Sequence, residues 1–250
     1  ASKKMTKGFG PLLPGFVNIN LNDHETIKTT ISEKTAAILI EPIQGEGGIR
    51  VLPEPFLKEI RKICNEKNIL LILDEVQCGV GRTGKLFAHE WVEIEPDIMM
   101  VAKGIGGGFP LGAVLAKEDA ASGMTAGTHG STYGGNPLGC SIGLKVMDII
   151  SDPDFLYDVN RKAKLFHDGL LELLKKNTSI FEEVRGKGLM LGLKCKVKNI
   201  DVVNAGYSNK LLTVPAGDNV VRILPPLTIS DNDINEALNK LDGVMTALSQ

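Results

Sequence analysis

Two short apolar runs each end in a single charged residue, and this pattern limits the possible folds more than any other feature of the chain. Ile69–Leu73 runs into Asp74, and Ile98–Ala102 runs into Lys103. Neither run alternates polar with apolar residues, so neither reads as a strand with one wet face. Unbroken apolar runs of this length suit strands buried on both faces, the habit of parallel sheets. The preceding segment fits the same scheme. Ala36–Ile40 reads as a short buried strand, followed by the glycine-rich turn Gln44-Gly45-Glu46-Gly47-Gly48. Pro53 and Pro55 then open a helix with Phe56, Ile60, Ile63 and Cys64 on one face. Strand, loop, helix, strand is the parallel crossover unit, so the expected class is α/β with a mostly parallel sheet.

In open parallel sheets, ligands sit just beyond the carboxyl ends of the strands. Asp74 and Lys103 are thereby expected to face one crevice from two strands. A lysine at the edge of an apolar site loses its proton readily and can form a Schiff base. An acid beside it can hold a protonated pyridine nitrogen. Those are the two demands that pyridoxal phosphate makes of a protein. Each residue taken singly has a plainer reading, the acid as a cap or ion-pair group and the lysine as a solvated side chain.

Composition narrows the alternatives. A net charge of −2 with 43% hydrophobic residues marks a globular chain and favours neither nucleic acid nor an anionic membrane. No apolar run approaches the roughly 20 residues that span a bilayer. Cys64, Cys78, Cys140 and Cys195 show no CxxC spacing and read as free thiols of a reducing cytosol.

The rest of the chain falls into recognisable pieces. Residues 1–20, with Gly8, Gly10, Pro11, Pro14 and Gly15, read as an extended surface segment. Asp23 is placed to cap a helix over Glu25–Ile31. Leu111–Ala116 reads as a strand, Thr128–Gly135 as a hydroxyl- and glycine-rich loop, and Pro137 as the opening of a helix to Ile150. Val159–Lys176 has the spacing of a long amphipathic helix. Leu189–Lys194, Leu211–Val214 and Val220–Leu224 are strand-like. Ser230 and Asp233 form a capping box for a last helix with Ile234, Ala237, Leu238, Leu241 and Met245 inward. The change of texture near Ser151 divides the chain into a large α/β domain, 1–150, and a smaller α+β domain, 151–250, expected to be rich in helix and poor in strand.

One motif competes for the central stretch. Gly79-Val80-Gly81-Arg82-Thr83-Gly84-Lys85 has the spacing of a phosphate loop up to its lysine. The next residue, Leu86, has no hydroxyl for a metal, the acids come before the loop instead of after it, and no strand leads directly into it. Gly104–Gly108 fails the dinucleotide fingerprint because Phe109 stands where the last glycine belongs.

Six ordered motifs then carry a resemblance from about Gly8 to the C-terminus. EPIQGEGG, LDEVQCGVGRTG, PDIMMVAKGIGGGFPLGAV, HGSTYGGNPLGC, VRGKGLMLGL and VPAGDNVVRILPPL resemble the class III aminotransferases that use pyridoxal phosphate. The resemblance implies the type I fold of such transferases, with a large cofactor domain and a small C-terminal domain. It implies transamination between N-acetylornithine, or a related ω-amino donor, and 2-oxoglutarate, in arginine biosynthesis. Lys103 would be the Schiff-base lysine and proton shuttle, and Asp74 the partner of the ring nitrogen. Glu75, Val76 and Gln77 would line the cofactor, Gln77 at the ring hydroxyl. Thr132 would reach the cofactor phosphate of a neighbouring subunit, which makes a homodimer with shared sites the expected assembly. Ser131 and Arg222 would contact substrate, Arg222 through a bidentate fork on a carboxylate. Glu46 would pair with Arg222 and swing aside as substrates alternate. A soluble cytoplasmic enzyme without membrane or nucleic-acid partners is implied as well.

The family's chain also has a substantial segment before the point that matches Ala1. That segment carries a phosphate-binding turn, an aromatic that stacks on the ring and a second substrate arginine. None of these is found here, so the expectation is a C-terminal portion of an aminotransferase, inactive alone, or a binding and dimerisation module of the same fold.

Overall fold

The computed structural model describes residues 6–21 and 23–249, so the first five positions of the opening segment lie outside them. The first helix, α1 (His24–Thr30), is capped as expected, Asp23 Oδ1 accepting from Thr26 N at 3.0 Å. Then come β1 (Ala37–Ile40), the two-residue strands β2 (Ile43–Gln44) and β3 (Arg50–Val51), and α2 (Glu54–Lys67). β4 (Leu70–Asp74), β5 (Ile98–Val101) and β6 (Ala113–Ala116) follow, then α3 (Glu118–Ala121), α4 (Pro137–Ile150) and α5 (Pro153–Lys176). The last elements are β7 (Phe181–Lys187), β8 (Met190–Cys195), α6 (Asn199–Ser208), β9 (Val214–Ala216), β10 (Val220–Ile223) and α7 (Asp231–Leu248).

The first sheet has the order β1-β4-β5-β6. β1, β4 and β5 are mutually parallel, while β6 turns back antiparallel to β5. The crossover from β1 to β4 passes through α2, whose Phe56, Leu57 and Ile60 pack on Leu71 and Leu73. Burying each of those side chains contributes about 1.5–3 kcal/mol. The expectation of burial on both faces is corrected. Leu71 and Leu73 are fully buried, but Leu70 and Ile72, which alternate with them, are only half-buried. Leu39 of β1 is 58% exposed, and β6 is exposed along its length. Helical packing covers one face of this sheet, and the apolar residues of the other face are left open among the described residues.

The second sheet is antiparallel throughout, in the order β7-β8-β10-β9. Its core joins Leu191, Leu193 and Val221 to Phe166 and Leu170 of α5 and Leu241 of α7. The strand-poor tail expected from sequence is thus corrected to a four-stranded layer covered by helices. β7 escapes the sequence pattern because its register slips between Phe181 and Glu183, which breaks the alternation of faces. α6 escapes because neither a side-chain cap nor a proline marks its N-terminus. α5 starts at Pro153, ahead of the Val159 expected, since Asp152 Oδ1 accepts from Asp154 N at 2.8 Å and Pro153 takes the first helical position. β9 begins at Val214, the last residue of the stretch expected, and ends two residues beyond it. The capping box of α7 forms as read, with Ser230 Oγ accepting from Asp233 N at 3.1 Å. No helix among the described residues is long and apolar enough to cross a membrane.

Between the two sheets lies a joint core in which Val80, Met99, Val101 and Ile150 meet Phe155 and Leu227. The strand ends of the first sheet open towards this junction.

Candidate active site

Asp74 is the last residue of β4, and Lys103 follows β5 after one residue. Because β4 and β5 are adjacent and parallel, with Asp74 in register with Met100, the acid and the amine leave the sheet at the same edge. Lys103 opens a single 3-10 turn, Lys103–Gly106, with φ +48. A non-glycine residue in the left-handed region costs about 1–2 kcal/mol, and such strain collects at functional sites. Asp74 is half-buried, and its Oδ1 accepts from Val76 N at 3.0 Å, which fixes the carboxylate at the mouth of the turn. A cavity of about 470 Å³ opens there, lined by Val76, Gln77, Arg82 and Lys103 on one side and by Leu224 and Leu227 on the other.

Arg222 approaches from the second sheet. It sits on β10 between Gly192 and Val214 and is 6% exposed. Its Nη1 donates to Glu46 Oε1 at 2.5 Å and to Gln77 Oε1 at 3.2 Å, while its Nε is buried without a partner. Glu46 reaches it from the turn between β2 and β3, with 73% of its side chain exposed. That turn is pinned to the β9–β10 hairpin by Gly217 N, which donates to Glu46 O at 2.8 Å. A Cβ at Gly45 beside it would fall 2.0 Å from Gln77 Oε1, so any other residue there would displace the Gln77 side chain. A buried cation is thus held by a mobile type of partner, an exposed glutamate, and by a neutral amide.

Glu41 joins this constellation, a residue to which the sequence reading assigns no site role. It follows β1 directly, so three neighbouring parallel strands deliver Glu41, Asp74 and Lys103 to one edge. Burial pushes the Glu41 carboxyl above the usual range. The charges of Asp74 and Glu46 push the same way, opposed by the Gly45 N–H and by Lys103. The available signal was positional: an acid ending the strand next to β4.

Glu75 faces away from the crevice. Its side chain is fully buried, and its carboxylate accepts from Ala88 N at 2.6 Å, from His89 N at 2.8 Å and lies 2.8 Å from His89 Nδ1. Its side chain therefore anchors the 3-10 turn Ala88–Trp91 behind the site and is not turned to a ligand in the cavity. Ser131 and Thr132 stand on an exposed loop outside the cavity lining, with Ser131 Oγ accepting from Gly134 N at 2.9 Å. Within one chain they are not brought to Lys103.

The stretch that imitates a phosphate loop is wedged between the sheets. Thr83 is fully buried and accepts from Trp91 Nε1 at 3.2 Å, and Lys85 Nζ lies 5.5 Å from the centre of the Trp91 ring. Thr83 is therefore closed to a nucleotide, and Lys85 is exposed beside the Trp91 ring. Burial pushes the Arg82 guanidinium down, to about 10.

Comparison with known proteins places this geometry. The family model described as aminotransferase class-III matches residues 1–245. The acetylornithine aminotransferase of Rhodobacter capsulatus is 63% identical over 99% of this chain, and that of Mesorhizobium japonicum 54% identical over 95%. Among solved structures, N-acetylornithine aminotransferase from Stenotrophomonas maltophilia superposes with a TM-score of 0.84 at 35% identity over 92% of the chain. The ornithine aminotransferase of Toxoplasma gondii superposes at 0.93 with 33% identity over 99%. The chain spans 63% and 60% of the two curated relatives and 62% and 60% of the two solved chains.

Proposed function

This chain belongs to the class-III aminotransferases, and on that premise we propose that it carries the catalytic edge of an enzyme exchanging an amino group between N-acetylornithine and 2-oxoglutarate. The observation that carries the reading is the delivery of Asp74 and Lys103 to one sheet edge, opposite a buried arginine paired with an exposed acid.

The donor set fits pyridoxal phosphate, on which this family depends. An amine stands on a strained, exposed backbone position beside an apolar-walled cavity, and a half-buried carboxylate stands on the neighbouring strand. When bound, the group supplies an aldehyde that captures amines and a ring that withdraws electrons from the carbon bearing them. Lys103 would hold the group through its Nζ and carry a proton to and from the α-carbon of the amino acid. Asp74 would keep a proton on the ring nitrogen, since a carboxylate favours the charged form beside it. Val76 would pack on the ring face and Gln77 would reach its hydroxyl. Glu75 would serve by anchoring the turn that follows Asp74.

Both substrates bring a carboxylate, and Arg222 has unspent donor capacity for it in its buried, unpartnered Nε. Glu46 neutralises the arginine when one substrate leaves that charge unmatched. Its exposure leaves it free to withdraw. Thr132, with Ser131 beside it, would serve the site of a second copy in a cytoplasmic homodimer, which agrees with its exposed loop. We read residues 1–150 as the cofactor domain and 151–250 as the smaller domain. Ornithine as donor is the second reading, favoured by the likeness to the Toxoplasma gondii structure.

The test is optical and covalent. Full-length protein reconstituted with pyridoxal phosphate should absorb in the visible range and retain the cofactor mass on Lys103 after borohydride reduction. Lys103→Ala should lose both. A reconstituted protein that stays colourless and unlabelled would sink the reading. Turnover with acetylated against free ornithine separates the two donors.

A further inference from the structure

Arg82 has no part in the roles above, although its side chain borders the same cavity as Lys103 and Gln77. Its Nη1 donates to Leu189 O at 3.1 Å and to Pro225 O at 2.6 Å. In return, Leu189 N donates to Arg82 O at 3.0 Å. No carboxylate among the described residues pairs with it. Holding a half-buried cation on two carbonyls alone is a costly way to stabilise a junction, because the charge loses water without gaining an opposite charge.

Stability at this junction already has other sources. Asn160 Nδ2 on α5 donates to Gly84 O at 2.7 Å. Gly188, at φ +60, lies so close to the loop that a Cβ would fall 2.4 Å from the Thr83 carbonyl carbon. Val80, Ile150 and Leu227 supply apolar contact. What Arg82 adds is a link between two particular points. Pro225 follows Arg222 by three residues, where β10 leaves its sheet. At its other end the Arg82 loop runs back through Gln77 and Val76 to Asp74.

We propose that Arg82 is a positioning residue for transamination: its paired hydrogen bonds to Leu189 and Pro225 set where Arg222 stands relative to Lys103. The inference rests on the transaminase reading. The carboxylate held by Arg222 and the carbon worked on by Lys103 belong to one small substrate. The spacing between the two sheets is therefore a reaction coordinate constraint, and small misplacements of that kind cost large factors in rate or affinity.

The experiment uses the full-length protein loaded with pyridoxal phosphate, with Arg82→Lys, Arg82→Met, Arg222→Lys and the double variant Arg82→Met/Arg222→Lys. Cofactor absorbance, kcat and KM for 2-oxoglutarate are measured, together with the Kd of glutarate, an unreactive diacid, by calorimetry. Cofactor absorbance should survive in both Arg82 variants. Arg82→Met should raise the glutarate Kd and the 2-oxoglutarate KM about 10-fold and lower kcat/KM for 2-oxoglutarate by at least the same factor. Arg82→Lys should recover part of the affinity, and the Arg82→Met effect should vanish once Arg222 is already lysine. An unchanged glutarate Kd in a folded variant overturns the proposal, as does an equal effect in the Arg222→Lys background. If Arg82→Met does not fold, the Kd of Arg82→Lys decides alone. A wild type that takes up no cofactor and binds no glutarate fails the transaminase reading, and this inference with it. A wild type that does both, matched by its Arg82 variants, fails this inference only.

Discussion

Asp218 shows how charge at single positions shapes the neighbourhood of the site. It accepts from Arg185 Nη1 at 2.6 Å and from Lys194 Nζ at 2.7 Å, with Arg50 at 3.4 Å, and it stands beside the turn that carries Glu46. Burial alone would raise its pKa, but the bonds and charges of Lys194 and Arg185 outweigh it and hold the carboxyl down at about 2. A depressed folded pKa stabilises the protein above the unfolded value of about 4, and that gain fades as pH falls through the folded value. Asp218→Asn should therefore lower the unfolding free energy at pH 7 by about 1–2 kcal/mol. The gap between wild type and variant in denaturant titrations should close as pH falls from about 4 towards 2. A gap that stays constant across that window would contradict the assignment. Asparagine suits the position, since Asp218 has φ +53 and asparagine tolerates the left-handed region. At this scale the sequence was informative where a chemistry-bearing residue ends an apolar run, as Asp74 and Lys103 do. Arg82 and Glu41 were not legible as site residues. The partners of Arg82 lie 107 and 143 positions away, and Glu41 matters through strands that only the sheet order brings beside it.

Among the elements, the turn between β7 and β8 bears most directly on the junction. Gly188→Ala would put a methyl group into the Thr83 backbone at a positive φ, and backbone cannot step aside as a flexible side chain can. The expected loss is roughly 3 kcal/mol, readable as a lower denaturant midpoint. Gly123→Ala meets nothing within 4 Å and should change stability by less than about 0.5 kcal/mol. Equal midpoints for the two variants would show that the loops do not press together as described. Helices were legible where a side chain caps them, as at Asp23 and Ser230, or where proline opens a clear apolar face, as in α2. α6 has neither a side-chain cap nor an opening proline. β7 was lost for a different reason: its slipped register leaves no alternation to read.

For the molecule as a whole, burial is the property that sequence pattern misjudged. An apolar run states that a residue can be covered, not that something covers it. β6 leaves Val114 69% exposed, and α4 leaves Leu138 and Leu144 more than half exposed. Exposed apolar area of this extent commonly marks contact with another surface. A shared site through Thr132 makes dimerisation a condition of cofactor retention in the proposed enzyme. Full-length protein should sediment as a dimer, and Thr132→Val should weaken cofactor retention without dissociating it. A monomer that binds the cofactor fully in ultracentrifugation with absorbance detection would refute the shared site. The placement of Asp74 and Lys103 at one sheet edge was legible because each follows an apolar run. The exposure of its surroundings was not, because it depends on which surfaces meet.

The chain has one tryptophan, and it is built into the joint between the two sheets. Trp91 donates to Thr83 next to Arg82, and Lys187 Nζ from the far side of the joint rests 3.9 Å from the centre of its ring. Indole emission depends on nearby charge and on hydration, so the protein contains its own lamp at the place where its halves are clasped. Any parting of that clasp changes the colour and brightness of a single, already assigned source.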